Sequence, residues 1–269
     1  MGSLRRTAAI AACLLVWSRP ALADALAIIV GDSIVQTYPD DWSWPIQGWG
    51  ADMRKHFGPD IVWFNNARGG MGTRRFVEEG WWDQTLALAP QFIVIQLGIA
   101  DSWGDYATDP NTTYRANLHQ MIVDAREIGA EPILVTPTAI RYVAPDGIHV
   151  ARPSALEPWA SAMAAQAEAD GVALIDMHNW SLDLYDSLGM PLAQELYGFI
   201  IPGGGDPPIP PGTPDTIHFS PFGADEAATM VASRIPLVSP NLAAYLLPTG
   251  DPPPPPATAS VFPYEETCR

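Results

Sequence analysis

Residues 25–33, ALAIIVGDS, set the expectation for the whole chain. The first six are apolar without alternation, which is typical of a strand buried on both faces of a parallel sheet. The Gly-Asp-Ser that follows is a turn sequence. We therefore predict a buried strand over Ala25–Val30 whose carboxyl end presents the hydroxyl of Ser33.

Similar apolar runs recur along the chain and alternate with helix-like segments. Further strands are predicted at Ile61–Phe64, Phe92–Leu97, Pro132–Val135 and Val172–Ile175. Helices are predicted at Pro45–Phe57, Thr112–Ile128 (capped by Asn111), Pro158–Asp170 and Pro221–Ile235. This alternation predicts an α/β fold: a doubly wound parallel sheet of about five strands, flanked by helices in three α/β/α layers.

The sequences of the two chain ends lack the pattern of this fold. Arg5 and Arg6 precede an apolar run at 7–17, and Ala21-Leu22-Ala23 is a small-x-small cleavage site. We predict a signal peptide over 1–23, cleaved near Ala23, a main domain over 24–247, and a proline-rich tail over 248–269. The expected location is secreted or periplasmic in a bacterium.

The composition and the cysteine and histidine positions argue against several classes of function. Thirty acidic residues against fourteen basic ones give a formal charge of −16, which argues against nucleic acid as a partner. Cleavage of the signal would remove Cys13 and leave Cys268 as the single cysteine, so no disulfide is expected within the mature chain. No His, Asp, Glu or Cys cluster has metal-ligand spacing. We expect no cofactor, no metal, no stable membrane insertion, and a monomer.

Polar residues follow the predicted strands, where a parallel sheet binds its ligands. Ser33 follows the first strand, and Asp215-Thr-Ile-His218 precedes the last helix. A histidine can accept a serine proton, and a carboxylate three residues earlier can orient the imidazole. The alternative pair Asp176 and His178 follows the fifth strand, and we expect it to have a capping or rim role.

Four blocks in order carry a family resemblance: GDS at 31–33, NNARGGMGTRRF at 65–76, GIAD at 98–101 and DTIHFSPFGA at 215–224. The chain resembles the SGNH/GDSL hydrolase superfamily over most of residues 25–235. EEGWWDQTLAL at 78–88 and VTPTAIRY at 135–142 resemble the rhamnogalacturonan acetylesterase-like branch, carbohydrate esterase family 12.

The resemblance implies a role for each matching residue. Ser33 matches the nucleophile, His218 the general base and Asp215 its partner. The backbone N–H groups of Ser33 and Gly70 match two oxyanion donors. The family places an asparagine as third donor where this chain has Ala100.

That departure leaves three accounts open. The enzyme is slow, because losing an oxyanion donor costs ~10²–10³ in kcat. Another group, with Asn66 and Gln96 as candidates, replaces the missing amide. Or the remaining triad is largely idle.

Candidate substrate contacts lie in the same loops. Trp42, Trp44 and Trp103 follow the first and third strands, where aromatic faces can pack on sugar rings or in a core. Arg141 could meet a uronate carboxylate or pair within the protein. The Pro/Gly-rich loop at 201–214 leads into Asp215, so we expect it to overhang the site.

The leading hypothesis is an exported serine esterase that removes O-acetyl groups from plant cell-wall polysaccharide (pectin, rhamnogalacturonan or xylan) through an acyl-enzyme on Ser33. A short-chain lipase or esterase of the same superfamily is the first alternative. A catalytically impaired glycan-binding relative is the second, motivated by Ala100.

Overall fold

A computed structural model describes residues 24–39, 44–200, 210 and 212–248. Within these ranges the strands are β1 (Ala25–Gly31), β2 (Ile61–Asn65), β3 (Phe92–Gln96), β4 (Glu131–Val135), β5 (Ala173–Ile175), β6 (Tyr197–Phe199) and β7 (Pro214–Phe219). The α-helices are α1 (Thr73–Glu78), α2 (Trp81–Ala87), α3 (Thr113–Glu127), α4 (Glu157–Asp170), α5 (Met177–Leu188), α6 (Met190–Ala193), α7 (Pro221–Val238) and α8 (Pro240–Ala243). The predicted signal peptide and all of the predicted tail except Pro248 lie outside the described residues.

The first five strands form one parallel sheet in the order β2-β1-β3-β4-β5. Alternate residues of β1 enter opposite cores. Ala27 and Ile29 pack with residues of α5 and α7, whereas Ile28 and Val30 pack with residues of α3 and α4. A sheet with helices on both faces confirms the predicted α/β architecture, and the five apolar runs are its five strands.

The helix predicted at Pro45–Phe57 is wrong. Two short 3₁₀ turns, Trp49–Ala51 and Met53–His56, occupy this segment. The N–H groups of Gly48 and Trp49 donate to the carbonyl oxygens of Gln36 and Ile34, at 3.0 and 2.9 Å. The segment therefore bonds to the turn after β1, and the Trp49 N–H, which a helix over 45–57 would direct at the Pro45 carbonyl oxygen, is already bonded to Ile34.

Several elements are absent from the sequence prediction. Helices α1, α2, α6 and α8 have at most seven residues each, and β6 and β7 form a separate antiparallel pair. Helix α5 is also absent from it, although its twelve residues include apolar ones at helical spacing. The cap of α3 also differs, because the Asp109 carboxylate accepts the N–H groups of Asn111 and Thr112, at 2.9 and 3.0 Å. The antiparallel pair matters most, since β7 carries Asp215 and His218.

Over the part of the chain that the structure describes, no helix has both the length and the apolar character needed to cross a bilayer.

Candidate active site

Ser33 lies in a tight turn immediately after β1. The N–H groups of Val35 and Gln36 both donate to the Asp32 carbonyl oxygen, at 3.1 and 3.0 Å. Gly31 makes this turn possible, because a Cβ there would lie 2.5 Å from the Val35 side chain. The Tyr38 hydroxyl donates to the Ser33 carbonyl oxygen at 3.1 Å. The turn is thus fixed on both sides of the serine, whose side chain remains partly exposed.

Asp215 and His218 lie on one strand and form a locally closed pair. One carboxylate oxygen of Asp215 accepts the backbone N–H groups of Ile217 (2.7 Å) and His218 (3.0 Å). The other oxygen lies 2.9 Å from Nδ1 of the His218 ring. The three hydrogen bonds to this buried carboxylate compensate for its loss of hydration, and the bond to Nδ1 orients the imidazole.

The protonation of Asp215 follows from these contacts. Burial of Asp215 favours its neutral form, but the hydrogen bonds from the His218 ring and from the two backbone N–H groups outweigh burial. Its pKa therefore lies below the usual value for an aspartate. An ionised Asp215 accepts the Nδ1–H of a neutral imidazole and leaves Nε2 as an acceptor.

Nε2 of His218 lies 2.9 Å from Oγ of Ser33, although the two residues are 185 positions apart. This juxtaposition is the one that the sequence analysis required. A serine hydroxyl bonded to a neutral, carboxylate-oriented imidazole can be deprotonated as it attacks an acyl carbon.

Asp32 is a neighbour of the nucleophile that sequence reasoning passed over, although it stands inside the quoted Gly-Asp-Ser. It is buried, one oxygen accepts the N–H of Ile34 at 3.1 Å, and the backbone of Ile99 also favours the ionised carboxylate. Burial raises the pKa of Asp32 to about 7. A costly buried acid therefore underlies the serine turn.

Gly70 lies in the loop after β2, in the left-handed region at φ +71°, and is exposed. Its neighbour Gly69 donates its N–H to the Gln36 side chain, and an added Cβ on Gly69 would come within 3.8 Å of Ser33 Cβ. The loop therefore runs beside the nucleophile. Glycine suits position 70, because its φ of +71° is a backbone conformation that other residues adopt only with strain.

Asp101 joins this loop to the turn after β3. Its buried carboxylate accepts the N–H (2.8 Å) and the hydroxyl (2.6 Å) of Thr73, and the hydroxyl of Thr108 (2.8 Å). A Cβ on Gly72 would lie 2.9 Å from that carboxylate. Asp101, which sequence reasoning did not single out, thus fixes the end of the glycine loop against residue 100.

Ala100 begins the 3₁₀ turn Ala100–Ser102 and is buried. Neither proposed substitute for the family asparagine is available. The amide of Asn66 donates to the Thr85 hydroxyl at 2.8 Å and to the Trp81 carbonyl oxygen at 3.4 Å. The amide of Gln96 donates to the Thr136 carbonyl oxygen at 2.8 Å and to the Met177 sulfur at 3.1 Å, so the two donors of each amide are used. The second of the three accounts of Ala100 is therefore wrong for both residues.

The three tryptophans that are candidates for sugar contact differ in their contacts and exposure. The Trp44 ring meets the His218 ring edge-on, with centroids 4.7 Å apart, and its indole N–H donates to the Phe199 carbonyl oxygen. Trp103 follows the turn of Ala100 and is 47% exposed. Trp42 lies outside the described residues, as does most of the loop at 201–214.

The expectation that Arg141 contacts substrate needs correction. Arg141 is 6% exposed, and its guanidinium donates to Met190 and Asp215 carbonyl oxygens and to the Gln194 side chain. A guanidinium enclosed by protein acceptors does not face a substrate. This placement corresponds to the second alternative of the sequence analysis, pairing within the protein.

The alternative pair after β5 has the expected capping role. Asp176 caps α5 by accepting the Asn179 N–H at 3.0 Å. His178 is buried, with Nδ1 3.1 Å from the Pro137 carbonyl oxygen, and burial lowers its pKa. Across the described ranges, no three His, Cys, Asp or Glu side chains are grouped as metal ligands.

Comparisons with known proteins agree with this geometry. The family model for the GDSL-like lipase/acylhydrolase family matches residues 29–225. Two Bacillus subtilis (strain 168) proteins are similar. One, "Probable rhamnogalacturonan acetylesterase YesY", is 33% identical over 77% of this chain and 90% of its own length. The other, "Rhamnogalacturonan acetylesterase RhgT", is 32% identical over 77% of this chain and 88% of its own.

Solved structures share the fold. A Bacillus subtilis protein of known crystal structure aligns with a TM-score of 0.66 at 24% identity, over 80% of this chain and 57% of that chain. Axe2, an acetylxylan esterase from Geobacillus stearothermophilus, aligns with a TM-score of 0.58 at 16% identity, over 80% of this chain and 95% of its own. With the family model and the two relatives above, the conclusion is that this chain belongs to the GDSL-like lipase/acylhydrolase family and is a carboxylic ester hydrolase.

Proposed function

We propose that the protein is an exported serine esterase that removes O-acetyl groups from plant cell-wall polysaccharide, either pectin and its rhamnogalacturonan or xylan. The observation that carries the proposal is the continuous hydrogen-bond path from Asp215 through His218 to the Ser33 hydroxyl, with 2.9 Å at each step. The names of the two similar acetylesterases support the acetylated glycan as substrate class.

The mechanism follows from that path. Ser33 Oγ attacks the acetyl carbonyl carbon while His218 Nε2 takes the hydroxyl proton. The backbone N–H groups of Ser33 and Gly70 stabilise the oxyanion. His218 then returns the proton to the departing sugar hydroxyl. Water, deprotonated by His218, hydrolyses the acetyl-enzyme and releases acetate.

Aromatic side chains lie around the catalytic residues, where the substrate is expected to bind. Trp103 exposes about half of its surface beside the turn that contains Ala100, and Trp44 borders His218. Aromatic faces of this kind can pack against the apolar face of a sugar ring. We assign the leaving sugar to this side of the site, with Trp103 as its platform.

Hydrolysis of p-nitrophenyl acetate tests the catalytic assignment. Ser33→Ala and His218→Ala should each lower kcat/KM by at least ~10³-fold, because each removes one member of the proton path. His149→Ala is a matched control, because His149 is an exposed histidine that also pairs with an aspartate three residues earlier. Full activity in Ser33→Ala would refute the serine mechanism.

Acetate release identifies the substrate. Wild-type protein should release acetate from acetylated rhamnogalacturonan or xylan and prefer p-nitrophenyl acetate over the octanoate ester. Preference for the octanoate would instead identify the short-chain lipase alternative.

Ala100 is the specific observation in favour of a second function, a catalytically impaired glycan-binding protein. Such a protein would bind polysaccharide without reacting with a fluorophosphonate. Ser33-dependent labelling by the fluorophosphonate would exclude it.

Export is proposed from the N-terminal sequence, with its two arginines, apolar run and small-residue cleavage site. Expression of the full chain in a bacterium should yield an extracytoplasmic product beginning at Asp24. A product retained in the cytoplasm with residues 1–23 intact would contradict it.

A further inference from the structure

Arg141 lies behind the strand that carries the catalytic pair and holds it at two points. Its backbone N–H donates to the Thr216 carbonyl oxygen at 2.9 Å. Its guanidinium donates to the carbonyl oxygen of Asp215 at 3.3 Å. The same guanidinium reaches the Met190 carbonyl oxygen at 3.4 Å and the Gln194 side chain. One buried residue therefore connects β7 to α6 and to the 3₁₀ turn Gln194–Leu196 that follows α6.

The charge of Arg141 has few compensating groups around it. Its Cζ lies 5.5 Å from the centre of the Tyr197 ring, and the Tyr197 hydroxyl is bonded to that of Tyr185. Burial raises the pKa of both tyrosines, that of Tyr185 to about 12, so both are neutral at pH 7. Burial lowers the pKa of Arg141, because it disfavours the charged guanidinium. Tyr197, Tyr185 and Asp215 favour the charged form, and Asp215 is the ionised one of these three groups.

A buried cation is expensive unless an anion and hydrogen-bond acceptors compensate it. Neutral carbonyl oxygens would satisfy an amide or a hydroxyl equally well, so they do not explain why the buried group is charged. The negative charge of Asp215 does, because the guanidinium contacts the main-chain oxygen of that same residue and the two charges attract each other in a medium of low dielectric constant.

We propose that Arg141 is a positioning residue for the Asp215–His218 pair. Its guanidinium holds the main chain of β7 at Asp215, and its positive charge beside the pair keeps the pair in the form that can accept the Ser33 proton. This inference rests on the proposed function, since it assigns a role within the same site. Arg141 itself touches neither the nucleophile nor the expected position of the substrate.

The pH dependence of catalysis distinguishes this role from simple packing. The groups that face Arg141 are Asp215, Tyr185 and Tyr197, and those that face His218 are Asp215, Ser33 and the buried Asp32. Loss of the positive charge favours the protonated form of the Asp215–His218 pair. The acid limb of the kcat/KM profile should then move to higher pH, by about 0.5 to 1 unit.

The experiment compares full-length wild type, Arg141→Met, Arg141→Lys and Arg152→Met on p-nitrophenyl acetate from pH 4.5 to 8.5. Arg141→Met keeps much of the side-chain volume, and we expect kcat to fall at least ~10-fold with KM within threefold, together with the shifted limb. Arg141→Lys keeps the charge but not the planar set of donors, so its limb should stay at the wild-type position while kcat falls at least threefold. Arg152→Met is the control, because Arg152 pairs with Asp186 at the surface.

A folded Arg141→Met protein with wild-type kcat and an unmoved acid limb would overturn the inference. If that variant does not fold, Arg141→Lys decides: wild-type kcat in it overturns the inference, and reduced kcat with an unmoved limb supports it. Failure of the proposed function has a different signature, because wild type would then show no Ser33-dependent hydrolysis at all.

Discussion

Ala100 is the residue at which this site departs from its family, and the departure can be reversed. The side chain is a methyl group in the turn after β3, and the amides of Asn66 and Gln96 are bonded elsewhere. Ala100→Asn should therefore raise kcat on p-nitrophenyl acetate by ~10-fold or more, up to the ~10²–10³ expected of one oxyanion donor. Ala100→Asp, which has the same shape but a carboxylate in place of the amide donor, is the control and should show no gain. Equal kcat in wild type and Ala100→Asn would show that a third donor is not limiting.

The pair Asp215 and His218 shows what a short motif can and cannot predict. The chain contains Asp-x-Ile-His twice, and Asp146 contacts Ile148, His149 and the His149 ring at 2.9, 3.0 and 2.7 Å, in the same pattern as Asp215. The local arrangement is thus encoded within four residues. The serine opposite His218 is not, because it depends on contacts 185 positions apart. Order along the chain and family resemblance selected the pair that the structure places next to Ser33, and spacing alone could not.

At the scale of elements, the conformation of segment 45–57 depends on glycines that lie too close to neighbouring atoms to leave room for a Cβ. A Cβ on Gly48 would lie 2.2 Å from the Gln36 carbonyl oxygen, so Gly48→Ala must displace the turn that carries Ser33. We expect a loss of ~2–4 kcal/mol in the free energy of unfolding, measured by denaturant titration. Gly58→Ala is the matched control, since its nearest contact would be an ordinary 3.6 Å. Equal stability of the two variants would contradict this reading of the segment.

The same segment explains which elements could be predicted. The strands of the main sheet are apolar on both faces, and their burial follows from composition over a few residues. The residues of 45–57 also include apolar side chains at helical spacing, but Gly48 and Gly50 serve contacts with Gln36 and Asn65 that only the folded chain creates. Strand β7 is part of no long pattern, because two of its six residues, Asp215 and His218, serve the site. Local sequence therefore predicts the sheet well and predicts poorly the parts that pack the site against it.

At the scale of the whole molecule, acidity and burial act together on stability. The chain has a formal charge of −16, and repulsion among its carboxylates grows as pH rises. Two buried acids add to this trend, because burial raises the pKa values of Asp32 and Asp101. Asp215 acts in the opposite sense, since its lowered pKa contributes stability that is lost in acid. We expect the most stable pH to lie on the acid side of neutrality.

Asp32 provides the sharpest test of that expectation. Its pKa is about 7 in the folded protein against the usual aspartate value of 3.8 in the unfolded chain, so the folded state binds an extra proton between these pH values. Stability therefore falls as pH rises through that window, and the full cost is present above pH 7. Asp32→Asn removes the ionisation and should raise Tm by at least ~4 °C more at pH 8 than at pH 4.5. The exposed Asp60 supplies the control variant Asp60→Asn, for which the two pH values should give similar small changes. If the rise in Tm of Asp32→Asn were the same at both pH values, ionisation of Asp32 would not destabilise the folded protein. The serine turn would then contain no energetically costly buried charge.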